Sequence, residues 1–550
     1  MTDIPATGAE PPPDKAPPRA AHESPPQAQP SESHSKSTDT EPDSPGGTGR
    51  DVTPRTTPDG ASPGRPGAPG DAPANASAAS AVTERPGTHG PARALQALAL
   101  RLHFYAGVFV APFILIAAVT GALYAIAPTM ESVVNRDLLH VDSSGPARPL
   151  SEQIAAAVGG APESALAAVD PAQHPGDTTR VLFSDPGLGA SEQRAVFVDP
   201  ATAKPVGDSV VYGSTGALPL RTWIDVLHRN LHLGETGRLY SEMAASWMWV
   251  IALAGIVLWV RRSRGSLRHM VRPQRGRTAR GRGMSRHAAL GTWILLPLLF
   301  LSATGLTWSA HAGDHITALR QQLSWTTPVV ATALPGSTGP SMPAGSEHDH
   351  HGGGAGMSMP VSADRAAQVD KVFAVARGHG VDGPVEISIP AGDHTAFVVK
   401  ERRLSGVYTQ DSISVDGRTG DVVDILRYAD WPLMAKLANW GIQLHMGMLF
   451  GLANQILLLA TMIALIVVIG YGYRMWWQRR PIRAERRLPL GRAPVRGVLR
   501  RTPPWIVAAL AVVTVAVGWF APVLGIGLLA FLIIDLFVGF VTRRREGAVA

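Results

Sequence analysis

Cysteine is absent from this chain of 550 residues. Its absence excludes disulfide bonds, zinc ribbons, iron–sulfur clusters and thiolate nucleophiles. It also excludes covalent attachment of haem, which needs a C-x-x-C-H motif. Any redox cofactor of this protein must therefore be held by histidine, methionine or oxygen ligands.

Large apolar side chains are almost missing from the first ninety-odd residues, which are rich in Pro, Ser, Thr, Gly and Asp. A segment of this composition buries too little surface to offset the entropy of ordering it, so residues 1–92 are predicted to be a disordered tail. No cleavable signal peptide is visible, because the first apolar run begins near residue 104.

Long apolar runs follow at intervals, and about 20 such residues are needed for a helix to cross a bilayer. Four runs approach or exceed this length: residues 106–126, 244–260, 288–309 and 453–473. A fifth run, 505–541, would be about 55 Å long as one helix. Pro522, between Gly518 and Gly525, predicts a helical hairpin instead. The sequence therefore predicts an α-helical integral membrane protein with about six transmembrane helices.

Acidic residues are scarce in two basic segments between these runs. Residues 261–286 contain ten Arg and no acid, and residues 479–501 contain nine Arg and one acid. Short loops this basic stay in the cytoplasm. The pattern predicts a cell-membrane protein with a cytoplasmic N-terminus and with residues 128–240 and 310–444 outside. It also accounts for the net charge of +7, so no nucleic-acid partner is predicted.

The two outer segments each have the pattern of a small α+β module. In the second segment, residues 364–378 have a helical pattern, and residues 385–389, 395–400, 412–415 and 422–425 have strand patterns. The first segment repeats this order more faintly, with a helical pattern at 150–158 and strand patterns at 179–183, 195–198 and 205–211. Each module is interpreted either as a ligand-binding unit or as a structural cap on the helices.

These observations predict the following division after the tail. It comprises a helix at 93–127, an outer module at 128–240, a helix at 241–262, a basic loop at 263–287, a helix at 288–309, an outer segment at 310–444 with its module at 364–426, a helix at 445–477, a basic loop at 478–504 and the hairpin at 505–541.

The chain also repeats itself at two fixed offsets. The first offset, from His103 to His287, places Gly107, Thr120 and Gly121 on Gly291, Thr304 and Gly305. The second offset, from His228 to His445, places Leu227, Gly234, Gly255, Trp259 and Arg262 on Leu444, Gly451, Gly472, Trp476 and Arg479. No gap is needed within either set, so the protein is predicted to be a duplicated unit of helix, outer module and helix.

Four histidines occupy equivalent places in the two units. The predicted topology puts His103 and His287 at the cytoplasmic ends of their helices, and His228 and His445 on the outer side. His232 is a reserve candidate, because only the His228 register aligns the glycine, tryptophan and arginine that follow. Neutral imidazoles on facing helices can clamp a flat macrocycle, and imidazole is the expected axial ligand of haem iron when no thiol is present.

A haem is therefore predicted at each pair of histidines. Glycines that follow each histidine, at positions 107, 291, 234 and 451, are expected to leave room for a porphyrin. The alternative is that the histidines are amphipathic side chains at the level of the lipid headgroups.

At these residues the chain resembles the PepSY-associated transmembrane proteins, also called iron-regulated or iron-uptake-associated membrane proteins. The motifs that carry the resemblance are Leu102-His103 with Thr120-Gly121, Leu227-His228-Arg229 with Leu258-Trp259, Arg286-His287 with Thr304-Gly305, and Leu444-His445-Met446-Gly447 with Trp476-Trp477. The resemblance covers about residues 95–480. It implies extracytoplasmic PepSY domains, two b-type haems (haem b) and a role in iron acquisition, since family members include reductases of ferric siderophores.

A His/Met segment at residues 347–359 is unusual for such a protein. Its candidate ligands are His348, His350, His351, Met357 and Met359. Imidazole and thioether groups suit copper, especially Cu(I), so copper or iron binding is predicted here. The alternative is a flexible, glycine-rich linker with incidental histidines.

Three functions are compatible with these features. The first is an electron conduit that reduces a metal or metal chelate outside, with a separate donor, because neither basic loop is long enough for a nicotinamide or flavin domain. That donor is a membrane quinol or a soluble reductase. The second is a membrane-anchored PepSY protein that binds a ligand or regulates a partner without redox activity. The third is an accessory protein that hands copper or iron to a transporter.

Asp535 lies deep in the last apolar run. A carboxyl group at such depth is costly and is typical of a functional residue. It is interpreted as a proton relay or part of a quinol site, or else as a protonated side chain bonded to a neighbouring helix.

Overall fold

The computed structural model describes residues 91–159, 165–263, 265–275, 278–335, 363–478 and 503–547. The predicted disordered tail, except for its last two residues, lies outside these ranges, as does the His/Met segment.

The helices, numbered α1 to α15 in chain order, are Pro91–Phe109, Ala111–Val134, Arg136–Leu139, Leu150–Val158, Pro219–Asn230, Gly234–Arg262, Leu267–Val271, Ala279–Trp293, Leu295–Leu306, His311–Gln322, Ala363–Gly378, Leu433–His445, Leu452–Trp477, Pro504–Phe520 and Pro522–Gly547. The strands β1 to β8 are Ala165–Asp170, Thr179–Ser184, Glu192–Asp199, Lys204–Tyr212, Val385–Ser388, Phe397–Glu401, Ser412–Val415 and Val422–Leu426.

Four of the described helices are long and apolar enough to cross a membrane. They are α2, α6, α13 and the Pro522–Val541 part of α15. A fifth span is formed if α8 and α9, which meet at an angle of 57°, are taken together. The prediction of a multi-pass membrane protein is confirmed, whereas the count of six spans stays a prediction, because the apolar helix α14 is only 17 residues long.

The bend between α8 and α9 has a cause in the sequence. Helix α8 ends at Trp293, and Pro297 follows in the first turn of α9. A proline ring has no N–H to donate and clashes with the carbonyl four residues earlier, which here belongs to Trp293. The helix therefore cannot continue straight through this position.

The hairpin of α14 and α15 breaks at Ala521, next to Pro522, as the sequence predicts. Gly518 and Gly525 let its two helices touch, since a Cβ atom on Gly525 would lie 2.7 Å from the Cα atom of Gly518. Helix α15 packs against α6, and Asp535 forms an ion pair with Arg101 on α1. Asp535 is therefore in contact with a basic side chain of a neighbouring helix.

The two halves of the duplication pack together through their long helices. Helix α2 of the first half lies along α13 of the second, and α6 lies along both α1 and α9. Small buried residues at positions such as Ala118, Ala125 and Ala244 let the helices approach closely, as is usual where helices associate in lipid.

The strands of the two predicted modules form one eight-stranded antiparallel sheet rather than two separate ones. Its strand order is β4-β3-β2-β1-β5-β6-β7-β8, so the modules join where β1 pairs with β5, for example Val169 with Ile387. Helices α4 and α11 cover one face, and Ile154, Val369 and Phe397 contribute to the core beneath them. The predicted helices and hairpins of each module are present, whereas β1 was not predicted.

Buried charges lie where the sheet meets the helices. Glu131, near the end of α2, accepts a hydrogen bond of 2.7 Å from the backbone N–H of Leu218 and pairs with Arg221 at 3.5 Å. Asp170, at the end of β1, pairs with Arg402 at 3.0 Å, and both side chains are less than a tenth exposed. Breaking such a buried pair is strongly destabilising, so the first contact fixes the start of α5 on α2 and the second joins the two halves of the sheet.

Candidate functional site

The four predicted histidines lie in two pairs, each with one member from each half of the chain. The pair that lies farther from the sheet is named the distal pair. It consists of His103 on α1 and His287 on α8, whose ring centroids are 6.0 Å apart with an interplanar angle of 80°. Both rings are anchored in the same way. The Nδ1 atom of His103 lies 2.9 Å from the carbonyl oxygen of Ile251, and that of His287 lies 2.9 Å from the carbonyl oxygen of Val468.

These carbonyl contacts decide which ring nitrogen carries the proton. A carbonyl oxygen can only accept a hydrogen bond, so each Nδ1 must donate. The lone pair of each neutral imidazole is then on Nε2, which is the atom left for a ligand bond. A metal-binding histidine usually donates its second N–H to a carbonyl or carboxylate in this way.

Glycines lie against the rings of the distal pair. A Cβ atom on Gly255 would be 2.9 Å from Cε1 of His103, and one on Gly472 would be 3.8 Å from Cε1 of His287. Only glycine therefore permits the observed position of His103.

The sheet-side pair consists of His228, near the end of α5, and His445, the last residue of α12. Each lies on a short helix that precedes a span, not on the span itself. The chain turns sharply after each histidine: Leu231 and His232 adopt φ values of 55° and 56°, and in the second half Gly447 and Gly451 adopt 78° and 54°. The span predicted from residue 445 consequently begins at Leu452.

Threonine hydroxyl groups anchor the sheet-side pair. The Nδ1 atom of His228 lies 2.9 Å from Oγ1 of Thr120, and that of His445 lies 2.6 Å from Oγ1 of Thr304. Each hydroxyl donates its own proton to a carbonyl one turn earlier, on Ile116 at 3.0 Å or on Phe300 at 2.8 Å. The histidine Nδ1 atoms must then be the donors to Oγ1, so Nε2 again has the free lone pair.

A glycine and an aromatic ring complete each niche of the sheet-side pair. A Cβ atom on Gly121 would lie 3.1 Å from Cε1 of His228, and one on Gly305 would lie 3.8 Å from Cε1 of His445. Tyr124 stacks on His228 with ring centroids 6.0 Å apart, and Trp308 meets His445 edge-on at 5.2 Å.

His228 and His445 line the same cavity, which encloses about 1100 Å³ including its open part. Small side chains on α2 and α6 form much of the wall, and Arg229 and Arg238 also line it. A second cavity of about 820 Å³ lies on the side of strand β4 and shares both histidines.

The two pairs lie at different levels along the long helices. On α6, Ala245 lines the cavity of the sheet-side pair, whereas Gly255 meets the ring of His103. At about 1.5 Å per residue, the rise from Ala245 to Gly255 is about 15 Å along the helix. The arrangement thus has one pair of imidazoles beside the first half of α6 and the other beside its second half.

The duplication extends from the sequence to the contacts. Thr120, Gly121 and Tyr124 become Thr304, Gly305 and Trp308 at the first offset, and each set contacts one histidine of the sheet-side pair. Ile251 and Gly255 become Val468 and Gly472 at the second offset, and each set contacts one histidine of the distal pair. The threonines and glycines were visible in the repeat, but their contacts with the histidines were not predicted.

Other predicted residues lie apart from these niches. His232 is exposed, with Nε2 at 3.1 Å from the carbonyl oxygen of Trp223 and its ring over that indole. Gly107, Gly291 and Gly234 have open space where a Cβ atom would be and touch no histidine ring. His348, His350, His351, Met357 and Met359 lie outside the described residues. Within the described ranges, no group of three or more His, Asp or Glu side chains is suited to a metal ion.

The donor set fits a haem held by two imidazoles. A metal–imidazole bond is about 2 Å long, so two such bonds on opposite sides of one metal put the ring centroids about 6 Å apart. The observed separation of the distal pair is 6.0 Å. The free Nε2 atoms and the glycines that make space for the rings agree with this use.

The comparison with protein families gives one match. The model of the PepSY-associated TM region matches residues 100–479. The matched range includes all four histidines and excludes the hairpin of α14 and α15. The comparison with curated proteins gives no match.

Proposed function

The chain belongs to the family defined by the PepSY-associated TM region, and on that premise we propose that it is a membrane-spanning haem b electron conduit. It reduces a ferric chelate, or another metal complex, on the extracytoplasmic side and serves iron acquisition. The observation that carries the proposal is the presence of two histidine pairs with free Nε2 atoms at two different levels of the helical bundle.

Haem b at each pair would supply a one-electron carrier. His103 and His287 hold the first group, and His228 and His445 hold the second. Arg229 and Arg238, which line the cavity of the sheet-side pair, are suited to the porphyrin carboxylates, because guanidinium groups bind carboxylates strongly.

The electron balance requires a donor and an acceptor. A membrane quinol gives up two electrons and two protons per molecule, which reduces two ferric ions to ferrous ions; a soluble reductase is the alternative donor. The cavity on the side of β4 is the proposed acceptor site. Arg221, Arg229 and Arg403 line it together with Asp225. Glu131 pairs with Arg221 and Asp225 pairs with Arg229, so Arg403 supplies the positive charge that favours an anionic chelate.

The orientation in the membrane is part of the same proposal. The basic segments at 261–286 and 479–501 would face the cytoplasm, together with the N-terminus and the distal pair. Reporter fusions after residues 275 and 490 should report the cytoplasm, and fusions near 190 and 400 should report the outside. A cytoplasmic signal at 400 would put the sheet on the wrong side for an external acceptor.

The proposal is tested first by the visible spectrum of the purified protein. The reduced protein should show a b-type spectrum with about two haems per chain. Replacing His103 or His287 by Ala should remove the haem of the distal pair, and replacing His228 or His445 should remove the other. Loss of the sheet-side haem alone should still allow reduction of the distal one but abolish reduction of an added ferric chelate.

The control for these variants is His232→Ala, which removes an imidazole outside both niches and should keep both haems. If the wild-type protein, expressed with ample haem, purifies without colour, the electron-conduit proposal is wrong. The interpretation as a membrane-anchored PepSY protein without redox activity would then take its place.

A further inference from the structure

The two histidine pairs differ in one systematic respect, which is the acceptor at Nδ1. Both members of the distal pair donate to backbone carbonyl oxygens, those of Ile251 and Val468. Both members of the sheet-side pair donate to threonine hydroxyl oxygens. Because the duplication reproduces each type of contact in both halves, the difference belongs to the two sites and not to the two halves.

A carbonyl and a hydroxyl do not polarise an imidazole equally. Each histidine of the distal pair donates to a backbone carbonyl, which is a strong acceptor in a fixed position. The carbonyl draws the Nδ1 proton toward itself and makes Nε2 of the same ring more basic. An aliphatic hydroxyl is a weaker acceptor, although each one here is strengthened by donating to a carbonyl one turn earlier. The distal ligands are therefore the more electron-rich.

Electron-rich ligands stabilise the ferric state of a haem more than the ferrous state, because the ferric ion has the higher charge. Hydrogen bonding around the ligands is one of the means by which a protein sets the potential of its iron.

We propose that Thr120 and Thr304 are positioning residues that give the sheet-side haem a higher reduction potential than the distal haem, so that electrons pass toward the sheet. This inference rests on the proposed function, because it concerns the groups that the histidine pairs would hold. It adds a direction of transfer that is set by the acceptors at Nδ1.

The test is a redox titration of the full-length protein with both haems bound. The sheet-side component is assigned as the one that is missing in His228→Ala. In the wild type this component should have the higher potential. Thr304→Val keeps the shape of the side chain but removes the acceptor, so it should shift the sheet-side equilibrium roughly tenfold toward reduction, about 59 mV for a one-electron couple. The distal component should not move.

Two further variants separate hydrogen bonding from packing. Thr304→Ser keeps the hydroxyl and should restore the wild-type potential. Thr461→Val is the matched control, because Thr461 is a buried threonine of α13 whose hydroxyl donates to the carbonyl of Leu457, and its replacement should move neither potential. Thr120→Val should have the smaller effect, since its contact with histidine is 2.9 Å against 2.6 Å for Thr304.

If the Thr304→Val protein loses its sheet-side haem, the Thr304→Asn protein tests the inference instead. An amide oxygen is a stronger acceptor than a hydroxyl oxygen, so this variant should lower the reduction potential of the sheet-side haem. Two bound haems with the sheet-side potential equal to or below the distal one would overturn the inference. Equal reduction potentials of the sheet-side haem in wild type, Thr304→Val and Thr304→Asn would also overturn the inference. In both cases the proposed conduit would stand, whereas a wild-type protein without haem would overturn the conduit and this inference together.

Discussion

A methyl group added at Gly255 should displace His103 from its niche. Its carbon would lie 2.9 Å from Cε1 of His103, well inside the contact distance of two carbon atoms, so the ring must move by about 0.5–1 Å. The hydrogen bond of 2.9 Å from Nδ1 to the carbonyl of Ile251 would then approach or exceed 3.5 Å, where it is largely lost.

The energetic cost of this displacement can be bounded. Overpacking a close contact by one methyl group costs about 1–3 kcal/mol, which corresponds to a loss of about 5- to 150-fold in haem affinity at the distal pair. The duplication supplies the control. At Gly472, the equivalent position, the added carbon would lie 3.8 Å from Cε1 of His287, an ordinary van der Waals distance.

The assay is haem stoichiometry and affinity, measured on purified Gly255→Ala and Gly472→Ala proteins by absorbance during haem titration. Gly255→Ala should lose the distal haem at limiting haem, whereas Gly472→Ala should keep both haems with affinities within about twofold of wild type. Wild-type affinity in Gly255→Ala, or equal losses in the two variants, would refute the reasoning from the niche geometry.

Three further predictions concern charged groups outside the niches. Asp535→Asn leaves the charge of Arg101 without its carboxylate partner, so protease should cleave the hairpin of α14 and α15 faster than in wild type. An unchanged cleavage rate would refute this expectation. Unchanged ferric reductase activity in the same variant would exclude Asp535 as a proton relay. Asp370→Ala removes the carboxylate of α11 that accepts from the first N–H groups of α4, and it should lower the free energy of unfolding by about 0.5–2 kcal/mol in denaturant titration. Asp170→Ala leaves Arg402 as an unpaired charge inside the sheet and should lower the free energy of unfolding by about 3–5 kcal/mol. Replacing both residues by apolar ones should recover most of that free energy. A double variant as unstable as Asp170→Ala would show that the ion pair contributes more than charge balance.

The membrane helices could be predicted because a bilayer demands long apolar segments. The hairpin break at Pro522 could also be placed, because the run 505–541 is too long for one span and Pro522 lies near its middle. The bend at the third apolar run was missed, although Pro297 was present in the sequence. A proline near the middle of a run permits either a kink or a break, and packing of the neighbouring helices decides between them.

The joined sheet could not be predicted because its central strand leaves little trace in the sequence. Strand β1 reads Ala-Leu-Ala-Ala-Val-Asp, which lacks alternation and has one β-branched residue, Val169. Its pairing partner, β5, lies in the other half of the chain. Pairing between distant segments depends on tertiary packing, which local patterns do not encode.

At the candidate site, the repeat singled out the histidines, threonines and glycines as residue types, and it favoured His228 over His232. What it could not supply was which glycine meets which ring. Gly107 and Gly291, the nearest glycines in sequence, touch no ring, whereas Gly121 and Gly255 do. Ring contacts are made between helices, so spacing along one helix does not reveal them.

The pairing of β1 with β5 also constrains how the protein is made. Val169 and Ile387 are paired although they lie in different halves of the chain, and a ribosome adding about 5–20 residues per second needs roughly 10–40 s to pass from one to the other. For this interval β1 is an open strand edge, able to pair with a second nascent chain. An early truncation after the first half should therefore yield aggregates or strand-paired dimers, and synthesis of the second half closes the edge within one molecule.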